Sequence, residues 1–422
     1  ILFKNSSIFN YEEEVIESEV IGLFVDGVRV SSLSEEGDII VKETPFYAES
    51  GGQIADIGSI INQDFEAKVT NVIKAPNKQH LHHIEVLYGE LHEGDKITLK
   101  INGQRRRLIM RNHSSVHLLQ SALTEVLGDH ISQKGSYVCE NYIHFDFSHD
   151  KKMSEEELAT VEKKVNQWIA DAIPEETKVL PIEEAKKIGA KALFDEKYGD
   201  VVRVVCFGET SREFCGGTHV KNTADIGIFI IESEESVASG VRRIVARTSI
   251  SAYELLKKRE NVLTSVRNHL AAASIFEVTS RLNSLINERG IFKKQIESLS
   301  SKLATSEANS IDKEFEKVGN IELLVKYFKD NGRSGIVSLS DKLKVSHPHA
   351  LIVLIGNENV SLPIVCSVTG DALKSFKAGD IVRRVANILG GSGGGRPDFA
   401  SGAGKDANKI NDAIAYVRGL VK

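Results

Sequence analysis

Cysteine is scarce in this 422-residue chain: Cys139, Cys206, Cys215 and Cys366 are the whole complement. Four thiols are too few for a disulfide framework in a chain of this size. A signal-peptide pattern is also missing, as is any apolar run long enough to cross a bilayer. These absences point to a reducing, cytoplasmic setting without membrane contact, where a cysteine near histidine is more plausibly a metal ligand or a catalytic group than half of a bridge. The chain begins at Ile1 without a methionine and reads as a piece of something longer. An excess of basic charge is lacking too: 53 Lys and Arg stand against 59 Asp and Glu, a net charge of −6. RNA contact therefore has to come from local patches. No internal repeat and no Walker phosphate loop is present.

What is there describes an ordinary globular protein, 41% hydrophobic and 27% charged, long enough for roughly two to four domains. Residues 1–104 read as β, with short alternating runs such as Val20–Val25, Asp38–Val41 and Lys96–Ile101. Residues 105–250 read as α+β. Asn112 is the expected N-cap of a helix carrying Val116, Leu119, Leu123, Val126 and Leu127, closed by Gly128. A second helix opens on a Ser154/Glu157 capping box, and strands return at Val201–Phe207 and Ile226–Glu232. Residues 251–318 lack proline up to about 310. They repeat apolar residues at Leu282, Leu285, Phe292, Ile296, Leu299 and Leu303, a heptad-like seam interrupted at Arg289. That pattern serves a spacer, a dimer element or a helix packed on a neighbour equally well. Residues 319–422 read as α/β, with strands at Val337–Leu339, Leu351–Ile355 and Ile364–Val368, a glycine cluster at Gly390–Gly395 and a closing helix from about Asp406. The expected fold class is a multidomain α+β and α/β protein: a small β-barrel-like subdomain, an α+β core, a coiled-coil-like helical linker and a glycine-rich α/β domain.

His113 and His117 stand four residues apart on the first helix, so both rings leave one face, offset from the apolar stripe. Cys215 and His219 flank Gly216-Gly217-Thr218, a turn tight enough to let two ligands converge on one ion. The His113/His117 pair alone would be weak evidence. Joined by Cys215 and His219, the set matches the nitrogen and sulfur donors of tetrahedral Zn2+. Four protein ligands suit a structural site, whereas catalysis needs an open position, and the spacing leaves that choice open. Gly51-Gly52 in Thr44-Pro45-Phe46-Tyr47…Gln53 marks either close backbone approach or a tight turn in a small barrel.

The combination of Thr44-Pro45-Phe46-Tyr47…Gln53, His113-x-x-x-His117, Gln133-Lys134-Gly135-Ser136, Cys215–His219 and Ala238–Arg243 resembles the editing domain of alanyl-tRNA synthetase. Gly391–Arg396 resembles that family's glycine-rich C-terminal domain, which also closes DHH-type phosphoesterases. The resemblance spans essentially the whole chain, and no class II aminoacylation motif is recognised in it. It therefore implies a C-terminal half without the aminoacylation domain, hydrolysing seryl- or glycyl-tRNA(Ala). Ligase activity, with its ATP and Mg2+, is expected to be absent. A free-standing editing protein and a non-catalytic, zinc-stabilised tRNA-binding module stand as alternatives.

By the same resemblance His113, His117, Cys215 and His219 hold one Zn2+, while Gln53 and Gln133 belong to the pocket. Thr44 is placed to bond a serine hydroxyl that alanine lacks, a difference of about 1–3 kcal/mol. Arg242, Arg243, Gly393, Gly394, Gly395 and Arg396 would contact tRNA(Ala) at its acceptor end and outer corner. Residues 380–422 carry seven basic groups, Lys422 among them, against four acidic ones, a local balance of +3. Arg105–Arg107 would track phosphate or face water, and a homodimer through the helical linker or the C-terminal domain is left open.

Overall fold

In a computed structural model of the chain the described residues are 7–192 and 199–421, so Ile1 and Lys422 lie outside them. The chain divides into two compact units, Ile1–Ser265 and Val266–Lys422.

The first unit opens with six antiparallel strands: β1 (Val15–Val25), β2 (Glu36–Val41), β3 (Gly58–Ile61), β4 (Glu66–Lys74), β5 (His80–Tyr88) and β6 (Lys96–Ile101). Their order β6-β3-β4-β5-β2-β1 closes on itself through a β6–β1 pairing, giving a barrel with no free edge in the ring. Alternation selects the inward set. On β4 these are Ala67, Val69 and Val72, with a bulge after Val69 shifting the phase by one residue. His80, His82 and Ile84 of β5 also point inward.

Helix α1 (Gly103–Leu127) leaves the barrel directly and is buried on nearly all sides from Asn112 to Leu123. Its cap is Asn102, whose side chain accepts the Arg105 N–H at 3.0 Å, so the expected cap at Asn112 is corrected. Asn112 lies inside the helix because its amide serves tertiary bonds: it donates to Cys139 O at 2.6 Å and accepts from Thr248 Oγ1 at 2.7 Å. Gly128 ends the helix with φ 111°.

A four-stranded antiparallel sheet follows, formed by β7 (Gln133–Val138), β8 (Ile143–Ser148), β12 (Phe229–Ala238) and β13 (Val241–Thr248), in the order β7-β8-β13-β12. Val116, Leu119 and Leu123 of α1 join Phe145 and Phe147 of this sheet and Val161 and Val165 of α2 (Glu155–Ala170) in one core. A second, three-stranded sheet comprises β9 (Glu175–Pro181), β10 (Val201–Phe207) and β11 (Ser211–Phe214). It delivers the Cys215–His219 turn at the end of β11. Helix α3 (Ser249–His269) follows β13.

The second unit contains α4 (Val278–Ile311), whose seam positions are solvent-exposed, from 44% at Leu285 to 64% at Ile296. A mixed sheet then runs through β14 (Ile321–Tyr327), β15 (Ala350–Ile355), β16 (Leu362–Val368), β18 (Phe399–Gly404) and β17 (Ser392–Gly395), in that spatial order. Only the β14–β15 pair is parallel, and α5 (Arg333–Ser346) makes its crossover. The expected strand at Val337–Leu339 is corrected, since those residues belong to α5. Their apolar neighbours recur at helical spacing, with Ile336, Leu339 and Leu343 buried against β15 and β16. Helices α6 (Ala378–Ile388) and α7 (Ile410–Gly419) cover the opposite face. Within the glycine cluster, Ser392–Gly395 forms edge strand β17, paired to β18. No helix among the described residues is long and apolar enough to cross a membrane.

Candidate metal centre

Four side chains from two separated segments converge within the first unit. The ligand atoms of His113, His117, Cys215 and His219 all lie within 4.8 Å of one another. Cys215 Sγ is 3.4 Å from His113 Nε2 and 3.2 Å from His219 Nε2. With ordinary Zn–N and Zn–S lengths, a tetrahedral edge between nitrogen and sulfur is about 3.6 Å. The donors are thus at the separation that one zinc ion would span. The three histidines are buried, and burial, reinforced by the positive charge of Arg203, holds His113 down to about 3. His117 and His219 are pushed well below their ordinary value, again first by burial. Neutral imidazoles keep a lone pair for a cation, so the donor set fits Zn2+.

Each ring is held from behind. His113 Nδ1 donates to Gln53 Oε1 at 2.7 Å, leaving Nε2 toward the sulfur. His219 Nδ1 meets Ser114 Oγ at 3.1 Å, and the same hydroxyl accepts the Val220 N–H at 3.1 Å. Among the described residues His117 Nδ1 has no hydrogen-bond partner, and it faces Glu213 Oε2 at 3.7 Å. Burial raises Glu213 to about 8 and pushes His117 down, so it disfavours the charged form of both groups. Bonds behind metal-binding rings of this kind fix tautomer and orientation.

The Cys215–His219 turn is clamped by Arg203, which donates to Cys215 O at 2.8 Å and to Gly217 O at 3.0 Å. Gly217 is required there: a Cβ would stand 2.0 Å from His113 Cε1. Beside the cluster lies a cavity of about 270 Å³ lined by His113, His117, Cys215, Lys74, Gln133 and Arg203.

The other expected residues fall as follows. Gln133 lines the cavity. Gln53 is fully buried behind the cluster, not in the cavity wall. Thr44 does not reach the cavity. Its hydroxyl is bonded to His82 Nε2 at 2.7 Å and accepts the Phe46 N–H at 3.1 Å inside the barrel. Gly51 and Gly52 combine both readings of the motif, with φ of 58° and 81° and, at Gly52, backbone packed so closely that a Cβ would meet Ser136 O at 2.4 Å. Arg242 is bound to Glu234, with one bond at 2.6 Å, and Arg243 to Asp146 at 2.6 and 2.8 Å. Arg105, Arg106 and Arg107 engage Ala55 O, Asp56 and Glu14. Arg396 is exposed beside Asp398 at 3.3 Å.

Sequence reasoning missed Arg203, Ser114, Glu213 and Tyr11, whose hydroxyl donates to Gly216 O at 3.0 Å. Only Arg203 left a signal, a charge within the otherwise apolar Val201–Phe207.

Comparison with known proteins corrects the expected organisation. Residues 2–105 match the family described as tRNA synthetases class II (A). Residues 202–245 match the threonyl and alanyl tRNA synthetase second additional domain, and residues 320–422 match the DHHA1 domain. The class II match overturns the expectation of a C-terminal piece without aminoacylation sequence. It assigns the barrel to that family and not to an editing module. The expected loss of ligase activity and of its ATP and Mg2+ falls with it, as do the readings as a stand-alone editing enzyme or an inert zinc-stabilised module.

The alanine–tRNA ligase of Shouchella clausii (strain KSM-K16) is 40% identical over 423 residues, covering 99% of this chain and 48% of that protein. The alanine–tRNA ligase of Geobacillus thermodenitrificans (strain NG80-2) is 41% identical over 420 residues, with the same coverage of each chain. By sequence, therefore, the chain is a homologue of bacterial alanine–tRNA ligases, a kind of aminoacyl-tRNA synthetase, and spans about half the length of the relatives it matches.

Proposed function

We propose that the chain works as part of an alanine–tRNA ligase, contributing to ATP- and Mg2+-dependent attachment of alanine to tRNA(Ala) in the cytoplasm. The observation that carries this is the 40% identity along 99% of the chain, together with the class II match at residues 2–105. Within it, His113, His117, Cys215 and His219 hold one Zn2+. The adjoining cavity, with Lys74, Gln133 and Arg203 in its wall, takes the amino-acid-bearing end of the tRNA. Arg396 and the edge of β17 carry the phosphate contacts of the C-terminal unit. Arg242 and Arg243 do so only where RNA displaces Glu234 and Asp146. Zinc, when bound, fixes the four donors; the chain's own residues orient the rings and hold the turn.

The test is charging of tRNA(Ala) with labelled alanine, run on this chain and on the chain joined to the remaining length of a relative's ligase. Charging that requires ATP, Mg2+ and tRNA(Ala) supports the reading. No charging in either form, or equal charging of an unrelated tRNA, overturns it.

A further inference from the structure

The metal ligands come from α1 and from the turn after β11, yet one of the bonds behind them comes from the barrel. Gln53 lies in the segment between β2 and β3 and is fully buried. Its Oε1 accepts from His113 Nδ1 at 2.7 Å and from the Thr218 N–H at 3.0 Å, and its Nε2 donates to Thr218 Oγ1 at 3.0 Å. A single side chain thus joins both metal-binding segments to the barrel. The neighbouring backbone ties the same segment to the four-stranded sheet: Val138 N–H donates to Gly52 O at 2.7 Å, and Ile54 N–H to Val138 O at 3.2 Å. A second strap runs beside it, with Tyr11 bonded to Gly216 O and the Arg203 guanidinium 4.3 Å above the Tyr11 ring.

We infer that Gln53 is a positioning residue for the metal ligand His113, and that the metal centre thereby clasps the barrel to the rest of the first unit. The physical reason is that Gln53 Oε1 is what the His113 Nδ1–H bonds to, so removing Gln53 leaves that buried N–H unpaired and the ring less tightly set. Loss of such a bond behind a metal-binding histidine weakens metal binding by about 10–100-fold. Coupling is reciprocal: whatever factor Gln53 contributes to metal affinity, bound metal returns to the docking of the Gln53 segment.

The inference rests on the zinc reading of the four ligands, and the experiment separates the two. The full chain is titrated with Co2+, read by its visible ligand-field bands, and with Zn2+ against a chromogenic chelator, for wild type, Gln53→Ala and Gln53→Glu. Absence of a tetrahedral Co2+ band in wild type overturns the metal centre itself. With that band present, Gln53→Ala is expected to lose about 10–100-fold in affinity and to shift the band. Gln53→Glu keeps the acceptor and is expected to stay within about threefold, whereas Gln53→Met, titrated alongside, keeps the volume without the acceptor and is expected to lose affinity as Gln53→Ala does, a split that a merely space-filling role would not give. Unchanged affinity in Gln53→Ala overturns the clasp. Should Gln53→Ala fail to fold, wild type alone decides. Stripping zinc is expected to speed hydrogen exchange at the Ile54 and Val138 amides and leave Val353 unchanged; equal rates at Ile54 and Val138 with and without metal overturn the inference.

Discussion

Gly216 and Gly217 are neighbours in one turn, and alanine at each should have opposite consequences. At Gly216 an added Cβ meets nothing within 4 Å. At Gly217 it would lie 2.0 Å from His113 Cε1, 2.4 Å from Nδ1 and 2.9 Å from Gln53 Oε1. Carbon atoms rest at about 3.5 Å or more, so the His113 ring would have to retreat by about 1.5 Å. Metal–ligand lengths tolerate only about 0.2 Å. The ring cannot swing aside, because it packs against His219 and His117 with centroids 4.4 and 5.6 Å away. Gly217→Ala should therefore weaken zinc binding by about 100-fold or more, equivalent to about 2.7 kcal/mol, whereas Gly216→Ala should change it by less than about threefold. Chelator competition measures both, and metal-free thermal unfolding shows that each variant folds. Equal affinities for the two variants would refute the placement of His113 against this turn, and with it the geometry proposed for the centre.

Acid should loosen the barrel. Burial depresses His80 to about 4 and His82 to about 3, against about 6.5 in the unfolded chain. Their contribution is complete above about pH 6.5 and is lost as pH falls toward those folded values, because the unfolded chain then binds protons that the folded one refuses. Two such groups set a slope of up to about 3 kcal/mol per pH unit below about pH 6, read from urea midpoints. His80→Asn keeps a donor for Phe46 O and should flatten the slope by about one proton; an unchanged slope would contradict the assignment. In the C-terminal unit, Arg396→Ala should lower tRNA(Ala) affinity and reduce the salt dependence of binding by about one phosphate contact, checked by filter binding across a salt series. An identical slope would remove Arg396 from the interface.

The ligand set was readable because zinc chemistry imposes residue types at short spacings, and His113/His117 and Cys215/His219 each satisfy that locally. Their supports were not readable. Gln53 lies 60 residues from His113 and 165 from Thr218, and only the fold joins them. Asn112 misled as a helix cap because a polar residue preceding an apolar stripe looks the same whether it caps the helix or bonds tertiary partners. Val337–Leu339 misled because three residues do not distinguish a strand from one face of a helix. Thr44 was recognisable by motif, but its commitment to His82 depends on how β5 turns its histidines inward. The class II character of residues 2–105 left no catalytic motif to find; it emerged only by comparison.

Strand β17 bears on how this protein can vary. Most strands record their register in an alternation of apolar and polar side chains, and Gly393-Gly394-Gly395 has none to offer. Its register is set instead by what it leaves empty: a methyl on Gly393 would collide with Gly402 and Val382, and one on Gly395 with Ala400, while Gly394 faces open space. The strand is thus written in vacancies, and substitution there should follow a two-residue rhythm, forbidden, allowed, forbidden, along a segment whose composition looks uniformly permissive.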